Sequence, residues 1–133
     1  LAKQSERMNL NAIVGIESRG FFFGILLANK LNIPFIPIRK RGKLPYKTVS
    51  YEYELEYGTA AMEMHQDVVK KDWNVLIHDD LLATGGTAAA AAELIQMQHA
   101  NVSGFSFVVE LEFLKGSEKL KKYTNNIINL ISF

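Results

Sequence analysis

The sequence predicts an α/β fold, with a mainly parallel central sheet flanked by helices and a β-hairpin with a flexible loop inserted into it. Three observations carry this. Short apolar runs of strand length alternate with helical stretches. A turn rich in Thr and Gly joins an apolar run to a helix at residues 83–87. Residues 51–57 alternate strictly between apolar and acidic side chains.

Residues 2–10 read as the last turns of a helix, stopping near Asn9 or Asn11. Ala12 to Ile16 is an apolar strand that runs into Glu17-Ser18-Arg19-Gly20. Phe21 to Leu31 is helical, and Asn32 suits its C-terminal cap. Ile33 to Ile38 is a second strand, and Pro34 and Pro37 suggest a lightly paired or edge position. Arg39 to Pro45 is a basic loop, and residues 42–50 read as mobile. Tyr51 to Tyr57 has period two, and Gly58-Thr59 turns it into a second hairpin strand over Ala60 to His65. Trp73 to Ile77 is a buried-type strand, and Thr84 to His99 is helical with alanine throughout Ala88 to Ala92. Gly104 to Val109 and Ile127 to Ile131 complete the strands, separated by a charged helix or turn over Gly116 to Lys122.

The 133 residues suit one domain spanning 1–133, with no interdomain linker or repeat. The 48% hydrophobic residues and a net charge of +1 argue against disorder and against a nucleic-acid binder that relies on overall charge. Cys 0 removes disulfides, thiolate metal sites and cysteine nucleophiles, and fits a reducing cytoplasm. No apolar run approaches the roughly 20 residues that span a bilayer, so no membrane role is expected. His65, His78 and His99 are scattered without ligand spacing, which argues against a protein-bound transition metal.

The most informative stretch is Val75 to Thr87. An apolar strand delivers Asp79 and Asp80 to its C-terminal end, followed by Ala83-Thr84-Gly85-Gly86-Thr87 and a helix. In open parallel sheets, ligands sit beyond the carboxyl ends of strands. Gly85 and Gly86 let backbone amides approach an anion, Thr84 and Thr87 add hydroxyls, and the helix adds its positive end. Thr87 also suits a helix cap. No Gly-Lys-Ser/Thr follows, so this is not the nucleotide P-loop, and Gly-x-Gly-x-x-Gly is absent. Two acids beside a phosphate repel it unless a group lies between them. A ribose does this, its hydroxyls donating to the carboxylates while its 5′-phosphate reaches the amides. The bland alternative is a strand-to-helix turn in which Asp80 caps and Asp79 is solvated.

Asp79-Asp80-Leu81-Leu82-Ala83-Thr84-Gly85-Gly86-Thr87 resembles the phosphoribosyl pyrophosphate motif of type I phosphoribosyltransferases, the adenine-using members in particular. Glu17 to Phe21 resembles that family's pyrophosphate loop. Ile38 to Pro45 resembles its basic segment, and Leu55-Glu56-Tyr57-Gly58 resembles its Glu-Tyr-Gly. Val109-Glu110-Leu111 and Leu114-Lys115-Gly116 resemble the segment beside its base pocket. The resemblance covers about residues 12–120, in order. It implies the type I phosphoribosyltransferase fold and transfer of the 5-phosphoribosyl group from phosphoribosyl pyrophosphate to adenine, giving AMP and pyrophosphate. It also implies a homodimer and Mg2+ brought in mainly on the donor, near Asp79 and Asp80 rather than on protein ligands. The family carries an N-terminal hood over the base. Nothing before Leu1 corresponds to it, so part of the purine pocket is expected to be absent from these residues.

That reaction needs cations and amides on the departing pyrophosphate. Arg19, with the Ser18 to Gly20 amides, fits this, because a guanidinium fork matches phosphate oxygens. A solvated arginine at a helix start is the plain alternative, but it sits mildly against the dipole. Arg39 and Lys43 are the further pyrophosphate candidates, with Lys40 left to solvent. The resemblance alone singles out Glu56, for proton handling at the purine N7 or N9 region, since Glu52 and Glu54 share its polar face. Phe21, Tyr57 and Leu111 are candidate walls for a flat base. His78 takes a normally apolar position and has no catalytic role in this reading. Two other readings remain open: transfer to a different base, and a non-catalytic regulator that senses the donor.

Overall fold

The computed structural model describes residues 1–55 and 57–133. Helix α1 (Ala2–Ser5) and a 3-10 turn (Glu6–Met8) end at Asn9, whose φ is 50°. Strand β1 (Ala12–Ile16) leads into α2 (Gly20–Leu31), and β2 (Phe35–Lys40) follows. Strands β3 (Thr48–Leu55) and β4 (Gly58–His65) form the hairpin. Then come β5 (Asn74–Leu82), α3 (Gly86–Met97), β6 (Asn101–Glu110), a 3-10 turn (Glu112–Leu114), α4 (Gly116–Leu120) and β7 (Ile127–Ser132). Among the described residues the strands form one sheet, in the order β3-β4-β2-β1-β5-β6-β7. The five strands from β2 to β7 pair in parallel, and the hairpin is antiparallel.

The apolar runs became strands because both sheet faces are covered, which favours continuous rather than alternating hydrophobicity. Ile13 and Leu76 face Leu27 and Ala28 of α2 on one side. Val14, Ile16, Val75, Ile77, Phe105 and Phe107 join α3 on the other, against Ala88, Ala90, Ala91, Ala92, Leu94 and Ile95. Burying each large side chain here contributes about 1.5–3 kcal/mol. The alanine run thus serves close packing of α3. Asn32 caps α2 in the left-handed conformation, its N–H donating to the Ala28 and Asn29 carbonyls, as its sequence position suggested.

Several boundaries differ from the sequence reading. Strand β2 is interior, lying between β1 and β4. Pro34 precedes the strand, and Pro37 is tolerated because β4 pairs with β2 only at Arg39 and Lys40, the light pairing that the prolines suggest. Thr48–Ser50 belong to β3 rather than to a loop. Strand β5 continues through both aspartates to Leu82, because β6 pairs with it that far, whereas β1 leaves it at His78. Helix α3 starts at Gly86, capped by the backbone of Gly85 with φ 85°; Thr87 lies inside the first turn and makes no capping hydrogen bond.

Strand β1 leads through α2 to β2 on one side, and β5 leads through α3 to β6 on the other. Adjacent strands whose connections diverge leave a crevice beyond their carboxyl ends. The segments after β1 and β5 border that crevice.

Candidate active site

The crevice holds a cavity of about 470 Å³ lined by Glu17, Ser18, Arg19, Arg39, Lys40, Lys43, Asp79, Asp80 and Thr87, with Ile16, Tyr53 and Met62. A smaller hollow of about 80 Å³ adjoins it, formed by Asp79 and Leu81 to Ala88. Asp79 and Thr87 line both. Two motifs some sixty residues apart in sequence therefore meet, because β1 and β5 are neighbours.

Three of the four lining cations are paired with acids. Arg19 Nε lies 2.7 Å from Asp80 Oδ2. Arg39 Nε donates to Glu17 Oε2 at 3.2 Å, and Lys43 Nζ reaches the same oxygen at 3.4 Å. The backbone N–H of Lys40 donates to Glu17 Oε1, and Arg39 Nη1 donates to the Lys43 carbonyl at 3.3 Å. The Glu17 side chain is only 6% exposed. Burial alone raises its pKa, but the Lys40 amide, the Arg39 guanidinium and the Lys43 ammonium outweigh it and hold the carboxyl below its ordinary value. Glu17 carries no part in the sequence-based reading, because its partners lie 22 to 26 residues away and reach it only in the folded chain.

Asp79 Oδ1 accepts the Asp80 N–H at 2.8 Å. Burial pushes the Asp79 carboxyl up to about 7, Asp80's negative charge adds to this, and the Asp80 amide and Arg19 oppose it. Gly20 is buried against this carboxylate: a Cβ there lies 2.9 Å from Asp79 Oδ1 and 3.1 Å from Asp79 Cα. Glycine thus lets the start of α2 approach β5. The Glu17–Ser18 peptide is cis. In the smaller hollow, Ala83, Thr84, Gly85, Gly86 and Thr87 curve around the start of α3. The first-turn amides of a helix have no intrahelical acceptor, so they face outward as donors.

The proposed base walls are not gathered here. Phe21 packs edge-on against Phe35 at 5.6 Å, which commits the ring to the α2–β2 contact. Tyr57 is 91% exposed at the hairpin tip. Leu111 follows β6, its N–H donating to the Leu82 carbonyl. None of the three lines the larger cavity, whereas Tyr53 and Met62, which sequence reading left out, do. Glu56 lies outside the described residues. His78 is fully buried, its Nδ1 2.8 Å from Ser106 Oγ, and its Nε2 has no partner. Burial lowers its pKa to about 4, so the ring is neutral.

Among the described residues no cluster of three or more His, Cys, Asp or Glu side chains forms a metal site. Asp79 and Asp80 offer hard oxygen donors that suit magnesium shared with a phosphate ligand rather than a protein-only cage.

Comparison with known proteins agrees with this geometry. A family model described as a phosphoribosyl transferase domain matches residues 2–127. An adenine phosphoribosyltransferase of Christiangramia forsetii is 53% identical over 124 residues, covering 93% of this chain and 71% of the relative. The crystal structure of the adenine phosphoribosyltransferase of Thermoanaerobacter pseudethanolicus superposes with a TM-score of 0.94 at 49% identity, over 99% of this chain and 76% of that one. That of Saccharomyces cerevisiae, complexed with an imino-altritol bisphosphate and adenine, gives 0.86 at 42% identity, over 98% and 72%. The chain belongs to the phosphoribosyltransferase family, among its adenine phosphoribosyltransferases.

Proposed function

We propose that the protein transfers the 5-phosphoribosyl group of phosphoribosyl pyrophosphate to adenine, giving AMP and pyrophosphate, as a step of purine salvage. One observation carries the assignment to this cavity. The cations of Arg19, Arg39 and Lys43, the acids Asp79 and Asp80, and the Thr84–Thr87 turn converge at the divergence of β1 and β5.

In this reading the 5′-phosphate rests on the Ala83 to Thr87 amides and hydroxyls, and the ribose hydroxyls donate to Asp79 and Asp80. The bond from C1′ to the pyrophosphate oxygen breaks, and a bond from C1′ to a purine nitrogen forms. Negative charge grows on the leaving pyrophosphate, where Arg19, Arg39, Lys43 and the Ser18 to Gly20 amides receive it. Arg19 and Glu17's partners would exchange their carboxylates for pyrophosphate oxygens. Glu56 takes the role of handling the proton that the purine nitrogen must lose. Magnesium fits as a companion of the donor near Asp79 and Asp80, where it would neutralise phosphate charge.

A homodimer is part of the proposal. Phe22, Phe23, Ile25 and Leu26 of α2 are each at least half exposed, an apolar helix face that suits a second copy. Among the described residues no helix is long and apolar enough to cross a membrane. The cytoplasm is the proposed location, because the donor and product are polyanions that do not cross bilayers.

The test is the full chain with magnesium, phosphoribosyl pyrophosphate and a panel of bases, followed by pyrophosphate release. Adenine-dependent release is the expected result. Release with a different base alone would reassign the acceptor. Donor binding without base-dependent release would replace the enzyme by a sensor of the donor.

A further inference from the structure

Once the cavity is accounted for, two buried acids are left over among the described residues: Glu110, which accepts from Asn129 Nδ2, and Glu63. Glu63 stands on β4 between Met62 and Met64, both buried, and is itself 4% exposed. A carboxylate removed from water needs donors in its place. Glu63 Oε1 accepts the N–H of Gly42 at 3.1 Å and of Leu44 at 3.0 Å, and Oε2 accepts the Thr48 hydroxyl at 3.4 Å. Among the described residues no lysine or arginine forms an ion pair with it.

Two of the three donors, the Gly42 and Leu44 amides, belong to the turn that carries Lys43, and the third, Thr48, opens β3 just beyond it. The two amides flank Lys43, so the backbone is held on both sides of it. The rest of the turn closes around the same point. The Lys43 N–H donates to the Lys40 carbonyl at 3.3 Å, and the Arg41 N–H donates to the Ala61 carbonyl at 3.0 Å. His65 Nε2 lies 2.9 Å from the Pro45 carbonyl oxygen. Swinging this turn outward would strip Glu63 Oε1 of both its amide donors and leave that oxygen buried and unpaired, with only the Thr48 hydroxyl of β3 still held by Oε2.

We propose that Glu63 is a positioning residue for the leaving group. It fixes the Lys40–Leu44 turn, so that Arg39 and Lys43 form a stationary cationic wall rather than part of a moving lid. This rests on the reading of the cavity as a pyrophosphate site, and it adds a residue that touches no substrate. The work is done by the reach of its acceptor oxygens, not by its charge. Glutamine keeps an oxygen for both amides and an N–H for the Thr48 hydroxyl, whereas aspartate keeps the charge and withdraws it by one methylene.

The experiment measures magnesium pyrophosphate binding by calorimetry on the full chain, with AMP binding as the internal control and donor KM and kcat beside them. Glu63→Ala should weaken pyrophosphate binding and raise the donor KM by roughly tenfold, while AMP affinity and kcat stay near wild type. Glu63→Gln should bind nearly as wild type, and Glu63→Asp should bind more weakly than Glu63→Gln. In a Lys43→Ala background, Glu63→Ala should add little. Unchanged pyrophosphate binding in Glu63→Ala overturns the role, and so does an equal loss for AMP. If the alanine variant does not fold, the order of the other two decides: an aspartate that outperforms glutamine overturns the role. A wild-type chain that binds no pyrophosphate removes the pyrophosphate reading itself, and this role with it.

Discussion

At the scale of single residues, the site is a set of pairs. Arg19 and Asp80 meet at 2.7 Å, so substitutions at the two should not act independently. Arg19→Ala is expected to lower kcat and Asp80→Asn to weaken donor use, and the double variant should lose less than the product of the single losses. Steady-state kinetics on all four proteins checks this, and simple multiplication would show that the pair does not matter. Two neighbours in β5 make a second, pH-dependent prediction. The unfolded chain protonates its histidine near the ordinary value of about 6.5, whereas folded His78 resists until about 4. His78 therefore withdraws stability as pH falls through that window. Asp79 has the opposite sign, because its folded pKa is raised to about 7. The stability it lends at low pH is lost as pH rises from the carboxylate range to about 7. The two slopes oppose each other in the metal-free wild type. His78→Leu should become more stable on acidification from about pH 7 to about pH 5, and Asp79→Asn less stable, across the window set by these shifted groups. Urea midpoints through that range test the pair, and slopes of the same sign in both variants would refute it.

At the scale of elements, the phosphate turn depends on a helix that follows it by thirty residues. A Cβ on Gly116, at the start of α4, would clash with the Ala83 carbonyl oxygen and lie 3.1 Å from the Gly85 nitrogen. Gly116→Ala must push the turn or the helix aside. It is expected to cost about 1–3 kcal/mol of stability, in the range of overpacking, and to weaken AMP binding as well. Thermal unfolding and calorimetry together check this; a stability loss with unaltered AMP affinity would mean that α4 yields and the turn does not. Such dependences mark the limit of what the sequence made legible. Asp79 to Thr87 stood out because strand, acids, turn and helix are contiguous, so local chemistry and local structure coincide. Asn32 and the Tyr51 to Leu55 alternation were legible for the same reason. Glu17 and Glu63 were not, because their partners lie 15 to 26 residues away and meet only when β1, β2 and β4 assemble. Glu63 left no trace, since Met62-Glu63-Met64 alternates like any half-exposed strand and only the assembled fold buries all three. The extent of β5 and the interior place of β2 were hidden because strand length and position depend on neighbours the sequence does not name.

At the scale of the whole molecule, the α2 face is one apolar surface that the monomer leaves uncovered. Phe22 is 68% and Leu26 62% exposed on that helix. Sedimentation velocity should find a dimer, and Phe22→Glu with Leu26→Glu should yield monomers; a wild-type monomer at micromolar concentration would reject this surface as the interface. Donor binding should also hold the sheet together, because its contacts come from both sides of the β1–β5 divergence. The unfolding temperature should then climb with the logarithm of donor concentration. The pairing of Arg19 with Asp80, and of Arg39 and Lys43 with Glu17, has a kinetic consequence. Incoming anions meet three of the four lining cations already paired, with Lys40 the exception among the described residues, so attraction from a distance is weakened and arrival should depend only modestly on ionic strength. Chloride or a lone phosphate has too few charges to displace two internal carboxylates at once. A ligand presenting a pyrophosphate, alone or with a second phosphate, should do so, and the expected outcome is discrimination among anions by valence before any base is read.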